Sequence, residues 1–380
     1  MAPRVLIDAT PVPADRGGLG RYVDGLIAAL AAAGADLAIA CQRADAERCS
    51  RLAPQARVVA GPAAISHRSA RLAWEQAGLP VLAGQLEVDV IHEPYYTMPL
   101  RASQPVVVTI HDITVFSNPE IHSSVRGGFY RSATRTSLHR ATRCLVPSRA
   151  TRDELVRVLG ADPDRIDVAY HGVDTQAFHR PTEQERRRVS DRLGLHGLPY
   201  VAFLGEIAPR KNVSALVRGW AQAVAELEQP PALVLAGYPG VDGEVDRAVA
   251  EVPSHLRVVR PGYLRPTDLP GYLGGALVVG YPSQSEGFGL PVLEAMACGA
   301  PVLATRRLSL PEVGGDAVAY TEPDPDSIAT ELRALLADDR RRRELGEAGF
   351  ARAAQFTWAA SAQAHMEAYA RAAGALARPA

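Results

Sequence analysis

The chain has 380 residues, 41 of them basic and 42 acidic, and a formal net charge of −1, so its length fits two domains. Such a balance gives no support to nucleic-acid binding, which favours an excess of basic side chains. Four scattered cysteines lack the spacing of metal ligands and predict reduced thiols. The most apolar stretch, residues 26–41, is interrupted by Gly34 and Asp36, and the N-terminus leads directly into a strand. We therefore expect a cytoplasmic protein without a signal peptide, at most peripherally attached to the inner face of a membrane.

Short apolar runs alternate with longer helical patterns, which is typical of α/β domains with parallel sheets. In the first half these runs predict strands at 5–7, 37–40, 58–59, 90–91, 106–110 and 144–146. In the second half they predict strands at 200–204, 232–236, 256–259, 277–280 and 302–304. Residues 176–198, rich in Arg and Glu, are predicted to connect two Rossmann-like domains, and residues 324–377 are predicted to be helical. The expected divisions are 1–178, 179–357 and a final helix over 358–380.

A glycine-rich segment follows the first predicted strand and opens a helix that contains Arg21. Gly17 and Gly18 let a ligand approach the backbone closely, and a helix N-terminus favours an anion. The segment lacks the complete spacing of a dinucleotide fingerprint. A ligand-binding loop and a plain tight turn both fit this pattern.

Two other predicted strands end in polar residues. His111 and Asp112 follow the strand at 106–110, and Glu93 follows the strand at 90–91. The carboxyl end of a strand favours a ligand site in a doubly wound fold, although a lone histidine is commonly buried and satisfied by its neighbours. Asp112 is expected either to orient His111 or to cap the next loop. Glu93 either lines an acceptor site or begins an ordinary loop.

A basic face is predicted on the helix around residues 129–143. Arg131, Arg135 and His139 recur every four residues, opposite apolar side chains. A basic amphipathic helix can contact an anionic membrane or a lipid-diphosphate acceptor, whereas a solvated face is the commoner outcome.

The only lysine of the chain, Lys211, lies beside Arg210 where a predicted strand leads into a helix. Two such cations can hold a diphosphate, the ammonium as a point charge and the guanidinium as a fork. A solvated basic loop is the alternative. In a chain that otherwise uses arginine throughout, the lysine points to a geometry that a guanidinium does not fill. The aspartates near the ends of the predicted strands do not form an Asp-X-Asp pair for a divalent ion, so protein groups are expected to neutralise a diphosphate.

Glu286 and Glu294 are separated by seven residues that include a Gly-Phe-Gly turn and a helix start. Glu294, expected in the first helical turn, can accept hydrogen bonds from both ribose hydroxyls of a nucleotide, and Glu286 can accept them from a donor sugar. Phe288 is expected to be exposed between its glycines. An ordinary acidic helix start does not explain such a residue.

The same run places Pro291 where proline is tolerated, at an early helical position. The backbone N–H groups of Gly289 and Leu290 are then expected at the helix N-terminus, where an anionic diphosphate is favoured.

The run from Glu286 to Glu294 resembles the signature of family 4 of the nucleotide-sugar glycosyltransferases, which are retaining enzymes with the GT-B fold. The resemblance extends from Val5 to about Trp358. It implies an α/β fold of two Rossmann-like doubly wound domains facing a cleft, with the C-terminal helix crossing back to the first domain. It implies catalytic roles for His111 and Glu286, donor binding by Gly18, Arg210, Lys211, Phe288, Gly289, Leu290 and Glu294, and an acceptor side at Gly17, Arg21 and Glu93.

Sequence details around His111 and Lys211 are most similar to the mannosyltransferase branch of that family. This implies GDP-mannose as the donor, a glycan or lipid-linked saccharide as the acceptor, and neither a cofactor nor a metal ion. Glu206 and Ala208 depart from the residues of many relatives, which leaves the donor contacts there open. Two alternatives come from other classes: a pyridoxal-phosphate phosphorylase that uses Lys211 as its Schiff base, and a non-catalytic protein that binds sugar nucleotides.

Overall fold

A computed structural model describes residues 2–117, 119, 124–238, 240 and 243–374. Contacts within the chain divide it into two compact units. The first unit comprises Met1–Gly172 together with Thr357–Ala380, and the second unit comprises Val173–Phe356. The predicted domain limits at residues 178 and 357 lie near these divisions.

The first unit contains a parallel sheet. Its strands are β1 (Val5–Asp8), β2 (Leu37–Cys41), β3 (Arg57–Ala60), β4 (Val90–Glu93), β5 (Val106–Thr109), β6 (Arg143–Val146) and β7 (Ile166–Val168). In space they follow the order β3-β2-β1-β4-β5-β6-β7. Strands β1, β2, β4 and β5 are buried along their whole length, as expected for parallel strands with helices on both faces.

Helices cover the sheet of the first unit. They are α1 (Gly17–Ala32), α2 (Ala46–Leu52), α3 (Arg68–Gln85), α4 (Thr114–Ser117), α5 (Ser124–Arg140), α6 (Arg149–Leu159) and α15 (Trp358–Ala372). The last helix packs against α1 because Gly25 has no side chain: a Cβ atom there would lie 2.2 Å from the Trp358 ring. The predicted return of the C-terminal helix to the first unit is confirmed.

The second unit contains another parallel sheet. Its strands are β8 (Tyr200–Leu204), β9 (Ala232–Ala236), β10 (Val258–Gly262), β11 (Val278–Tyr281), β12 (Val302–Thr305) and β13 (Ala319–Thr321). Their order is β10-β9-β8-β11-β12-β13. The chain leaves β8 toward β9 on one side and leaves β11 toward β12 on the other. The carboxyl ends of β8 and β11 therefore meet at a topological switch point, where doubly wound folds bind ligands.

The helices of the second unit are α7 (Glu183–Arg192), α8 (Val213–Val224), α9 (Gly243–Ala250), α10 (Leu269–Gly274), α11 (Leu290–Ala297), α12 (Leu310–Gly314), α13 (Pro325–Ala337) and α14 (Asp339–Ala353). Their starts carry local signals. Thr182 and Glu185 form a reciprocal capping box at α7, and the Asp324 side chain accepts the Ser327 N–H at 2.9 Å before α13.

Three parts of the sequence interpretation differ from the structure. Strands β7 and β13, of three residues each, were not predicted. Residues 176–198, expected to be a connection, include α7 and belong to the second unit. The predicted helical region 324–377 is three helices with breaks between them, and its last residues, 375–377, lie outside the described residues.

Candidate active site

The loop after β8 carries two adjacent cations in a single turn of 3-10 helix, Pro209–Lys211. The turn ends at Asn212, which adopts a left-handed conformation with φ of 56°. The Asn212 side-chain amide donates to the carbonyl oxygens of Pro282 at 3.2 Å and Pro323 at 2.6 Å. These bonds fix the end of the cationic turn to the segments that follow β11 and β13.

Lys211 and Glu286 form a buried ion pair across the switch point. The Lys211 Nζ atom lies 2.5 Å from Oε1 of Glu286, and the same oxygen accepts from Nη1 of Arg210 at 3.1 Å. Lys211 is 5% exposed and Glu286 is 7% exposed. Lys211 also donates to the hydroxyl of Tyr281, the last residue of β11. The structure thus brings Arg210 and Lys211 of one predicted motif together with Glu286 of another and with Tyr281, which the sequence analysis did not single out.

Burial and the neighbouring charges determine the protonation states of Lys211 and Glu286. Burial, followed by the neighbouring Arg210, lowers the pKa of Lys211 to about 8, although Glu286 acts in the opposite direction. Burial alone would raise the pKa of Glu286, but Lys211 and Arg210 outweigh it and hold that pKa at about 2. Glu286 is therefore ionised at neutral pH. Two cations and one carboxylate leave a net positive charge, which suits an anionic ligand.

The turn between Glu286 and α11 is held by one serine. The Ser309 hydroxyl lies 2.8 Å from the carbonyl oxygen of Glu286 and 2.9 Å from that of Phe288. Gly289 has a φ of 101°, and a Cβ atom there would lie 2.8 Å from the Leu310 side chain. The positive φ therefore favours glycine at this position, and a larger residue would also displace the Leu310 side chain. Sequence reasoning did not single out Ser309.

The expected exposure of Phe288 is wrong. Its side chain is 4% exposed, and its ring makes an edge contact with Phe356 at 5.9 Å between centroids. Burial of an aromatic ring contributes favourable free energy, so the ring turns inward despite the glycines beside it. The side chain helps to fix the turn instead of presenting a surface to a ligand.

Helix α11 begins at Leu290, with Pro291 in its first turn as expected. The N-terminus of this helix follows Gly289 directly, so its backbone N–H groups lie next to the turn that starts at Glu286. The expected position of Glu294 in the first turn is wrong, because the fifth residue of the helix begins the second turn. Its carboxylate is 2% exposed.

In the first unit, the glycine segment opens α1 as predicted. Gly17 has a φ of 47°, and an added Cβ would meet no atom within 4 Å at either Gly17 or Gly18. The preceding Arg16 contacts the carboxylates of Asp24 and Asp45, the latter at 2.6 Å. The start of the helix, which includes Arg21, is thereby anchored while the backbone of both glycines borders open space.

His111 is the second residue after β5, and its Nε2 atom is 2.8 Å from the carbonyl oxygen of Pro94. Because a carbonyl oxygen only accepts, Nε2 carries the hydrogen. Burial lowers the pKa of His111. The ring is therefore neutral near pH 7, with Nδ1 as an acceptor, and the edge of the Tyr22 ring packs against it at 4.9 Å between centroids.

Asp112 caps the turn that leads into α4. Its Oδ1 atom accepts from the backbone N–H of Thr114 at 3.0 Å and from the Thr114 hydroxyl at 2.9 Å. This agrees with the capping alternative, whereas His111 is oriented by the backbone of Pro94.

Glu93, at the end of β4, is completely buried, and neither of its carboxyl oxygens has a hydrogen-bond partner among the described residues. Burial, with Asp8 and Glu75 nearby, raises the pKa of Glu93 well above its usual value. Burial also raises the pKa of Asp8 to about 6 and that of Glu75 to about 7. Glu93 is thus a neutral carboxyl group in the interior of the first unit.

Near His111 the structure contains a chain of hydrogen-bonded polar side chains. The sequence analysis did not predict it. We call it the tyrosine–histidine chain: Tyr369, His92, Thr109, Tyr22 and His365. Its links measure 2.8 Å from Tyr369 to His92, 2.8 Å from His92 to Thr109, 2.9 Å from Thr109 to Tyr22 and 2.9 Å from Tyr22 to His365. The chain joins α15 to β4, β5 and α1.

The predicted basic face of α5 is partly engaged within the first unit. Arg131 donates to the carbonyl oxygen of Val115 at 3.2 Å, and the Arg135 guanidinium lies 5.1 Å from the centre of the Phe116 ring. These contacts turn two of its basic groups toward neighbouring residues.

Within the described ranges, no helix is both long enough and apolar enough to cross a membrane. The same residues contain no group of three or more His, Cys, Asp or Glu side chains arranged to hold a metal ion.

Comparison with known proteins gives a consistent result. Residues 16–177 match the family described as Glycosyltransferase Family 4, and residues 185–352 match Glycosyl transferases group 1. The O-antigen chain mannosyltransferase B of Escherichia coli is 33% identical over 71% of this chain and 71% of its own. A D-inositol 3-phosphate glycosyltransferase of Frankia alni is 30% identical over 94% of this chain and 95% of its own. The Anabaena protein HepE, solved in complex with UDP-glucose, is 19% identical and has a TM-score of 0.76 over 98% of this chain and 100% of its own.

Two doubly wound parallel sheets and the likeness to solved glycosyltransferases give the chain a GT-B fold. The chain belongs to Glycosyltransferase Family 4 and is an enzyme that transfers sugars.

Proposed function

We propose that this enzyme transfers mannose from GDP-mannose, with retention of the anomeric configuration, to a glycan or lipid-linked saccharide. The observation that carries the proposal is the cluster of Arg210, Lys211 and Glu286, with its net positive charge beside the start of α11. The choice of mannose is supported by the relative named a mannosyltransferase.

In this proposal the second unit binds the donor. Arg210, Lys211 and the N–H groups of Gly289 and Leu290 stabilise the diphosphate as the sugar leaves, because a leaving diphosphate gains negative charge. Glu294 accepts from the ribose hydroxyls and Glu286 from the hydroxyls of the sugar. Phe288 stabilises the turn from the interior of the second unit, since its side chain is buried.

The first unit supplies the remaining roles. Gly18 approaches the donor phosphates through its backbone, and Gly17 and Arg21 belong to the acceptor side. Glu93 is completely buried, so it supports that side from the interior and does not contact the acceptor. His111, neutral and held through Nε2, uses Nδ1 to accept a hydroxyl hydrogen of the transferred sugar. The proposed stabilisation comes entirely from protein groups, without a metal ion or cofactor.

A thermal-shift screen tests the donor. GDP-mannose, GDP, UDP-glucose and UDP are compared, because the structural neighbour HepE was solved with UDP-glucose. A ligand present at 100 times its dissociation constant adds about 2.7 kcal/mol to the free energy of unfolding. We expect the largest stabilisation with GDP-mannose and a clearly smaller one in the Lys211→Ala variant. Stabilisation by UDP-glucose alone would contradict the proposed donor, and stabilisation by none of the four would contradict the proposed site.

Product analysis tests the transfer itself. Incubation with GDP-mannose and a mannose-terminated acceptor should give an α-linked product, whose anomeric configuration is read by NMR. An inositol phosphate acceptor is run in parallel, because one relative is named for that substrate. A β-linked product would contradict retention. A purified protein with absorbance in the pyridoxal-phosphate band would instead support the phosphorylase alternative for Lys211.

A further inference from the structure

Tyr281 lies at the point where β11 ends, next to the two proposed donor-binding cations. It is 1% exposed, and its ring stacks on that of Phe203 in β8 with centroids 6.0 Å apart and planes 14° from parallel. Phe203 is completely buried. The position of the Tyr281 hydroxyl is therefore set by packing in the core of the second unit.

The hydroxyl of Tyr281 accepts a hydrogen bond from Lys211. An ammonium group has three donors and no acceptor, so the direction of this bond is fixed. The Lys211 Nζ atom is 4.7 Å from the ring centroid and in contact with the hydroxyl, which lies in the ring plane. The interaction is thus a hydrogen bond at the ring edge. One further donor goes to Glu286, which leaves a third N–H of Lys211 without a partner among the described residues and available for a phosphate oxygen.

A neutral acceptor matters at this position. Burial and the neighbouring Glu286 raise the pKa of Tyr281 well above its usual value, so the hydroxyl stays uncharged. A second carboxylate in its place would cancel the net positive charge that Arg210 and Lys211 keep after pairing with Glu286. Tyr281 can hold the flexible lysine side chain without reducing the attraction for an anion.

We propose that Tyr281 is a positioning residue that holds the ammonium group of Lys211 where it meets the diphosphate of the donor. This rests on the proposed function, which places the diphosphate at Lys211. Tyr281 itself contacts no reacting atom in this account. It acts through the orientation of Lys211.

The test compares Tyr281→Phe with Tyr200→Phe. Both variants lose one buried hydroxyl in the second unit, and that of Tyr200 donates to the Tyr272 carbonyl oxygen at 2.6 Å, not to Lys211. Dissociation constants for GDP, UDP and guanosine are measured by calorimetry after melting temperatures show that both variants fold. Hydrogen bonds to charged groups are stronger than those between neutral groups. We therefore expect Tyr281→Phe to raise about tenfold the dissociation constant of GDP or UDP, whichever the unmodified enzyme binds more tightly. Guanosine binding should not change, and Tyr200→Phe should bind all three as the unmodified enzyme does.

A double-mutant cycle separates positioning from general damage to the fold. In a Lys211→Ala background, Tyr281→Phe should have no further effect on diphosphate binding, since the ammonium group is already gone. An equal loss in both backgrounds, or a loss matched by Tyr200→Phe, would overturn the role of Tyr281 alone. Diphosphate binding that survives Lys211→Ala unchanged would overturn the proposed function and this role together.

Discussion

Tyr22 and His365 are 343 positions apart in sequence, and the tyrosine hydroxyl lies 2.9 Å from Nε2 of the imidazole. The Nδ1 atom of His365 lies 2.7 Å from the carbonyl oxygen of Ser361, which only accepts, so Nδ1 carries the hydrogen. Nε2 of the neutral ring must then accept from Tyr22. Each hydroxyl has one hydrogen to donate, so the direction of the other three hydrogen bonds is also fixed. Thr109 donates to Tyr22, His92 donates to Thr109, and Tyr369 donates to His92.

This fixed direction predicts a loss of stability in acid. Burial lowers the pKa of His365 from 6.5 to about 4. The unfolded chain therefore binds a proton between these pH values that the folded chain does not. The contribution of His365 is complete above pH 6.5 and is lost toward pH 4, by about 3 kcal/mol for one fully buried histidine. Burial lowers the pKa of His92 in the same direction.

Urea unfolding at pH 8 and pH 5 measures this effect. We expect His365→Gln to lower the free energy of unfolding at pH 8, because it breaks the bond to Tyr22, and to reduce the difference between the two pH values. His67→Gln is the control, since that side chain is exposed in the first unit. An unaltered pH difference in His365→Gln would refute the account.

Lys211→Arg should be harmful although it keeps the charge. The ammonium fits between Tyr281 and Glu286 with 6% of the side chain exposed, and a guanidinium is bulkier and more directional. We expect kcat/KM to fall about tenfold or more, at an unchanged melting temperature without ligand. Arg210→Lys is the matched control, at a neighbouring side chain that is 25% exposed and should tolerate the exchange better. Normal turnover in Lys211→Arg would show that the lone lysine is an accident of composition.

Glu286→Gln and Glu294→Gln should have different kinetic effects. Each replaces a charge-assisted hydrogen bond worth about 1.5–3 kcal/mol, or roughly 10- to 150-fold. Loss at Glu294 should raise the dissociation constant for the nucleotide, since it is proposed to bind ribose. Loss at Glu286 should chiefly lower kcat, because the sugar and Lys211 are misplaced. Steady-state kinetics with both variants, beside direct nucleotide binding, checks the division, and unchanged values in both would reject the motif.

The alkaline limit of activity should reflect Lys211. Since burial and Arg210 lower its pKa to about 8, the free enzyme loses the ammonium charge as the pH rises through that value. The kcat/KM for the donor should therefore fall above about pH 8. In Glu286→Gln the limit should move to lower pH, because the carboxylate that favours the charged lysine is gone. A profile that is flat up to pH 10 would contradict the role of this charge.

Activity should survive an excess of chelator, because protein groups are proposed to stabilise the leaving diphosphate. The assay compares initial rates with and without EDTA, using a known divalent-metal enzyme to show that the chelator is effective. Loss of activity with EDTA and recovery with magnesium or manganese would overturn the proposal.

Sequence patterns predicted the parts of this protein that are local. The glycine start of α1, the lone lysine after β8 and the carboxylate spacing around α11 can all be read within a few residues. Strands β7 and β13 were not predicted, because a strand of three residues shows too little hydrophobic periodicity. Phe288 was misjudged because its glycine neighbours describe the backbone of the turn, whereas its burial depends on Phe356, far along the chain.

The pairings between distant residues could not be read from the sequence. Tyr281 ends a predicted strand as His111 does, and its position alone could have marked it as a candidate. Its bond to Lys211 depends on β8 and β11 being neighbours, which is a property of the sheet order. The tyrosine–histidine chain likewise needs β4, β5, α1 and α15 together.

The return of α15 to the first unit has a consequence for synthesis on the ribosome. Residues Val173–Phe356 form one compact unit without the last helix, whereas the first unit includes it, so this later part of the chain can finish folding first. The unit that is translated first is completed last, because Tyr22 and His92 each lack one hydrogen-bond partner until His365 and Tyr369 have left the exit tunnel. A message truncated shortly before its end would yield a complete second unit attached to a first unit with buried polar groups unsatisfied.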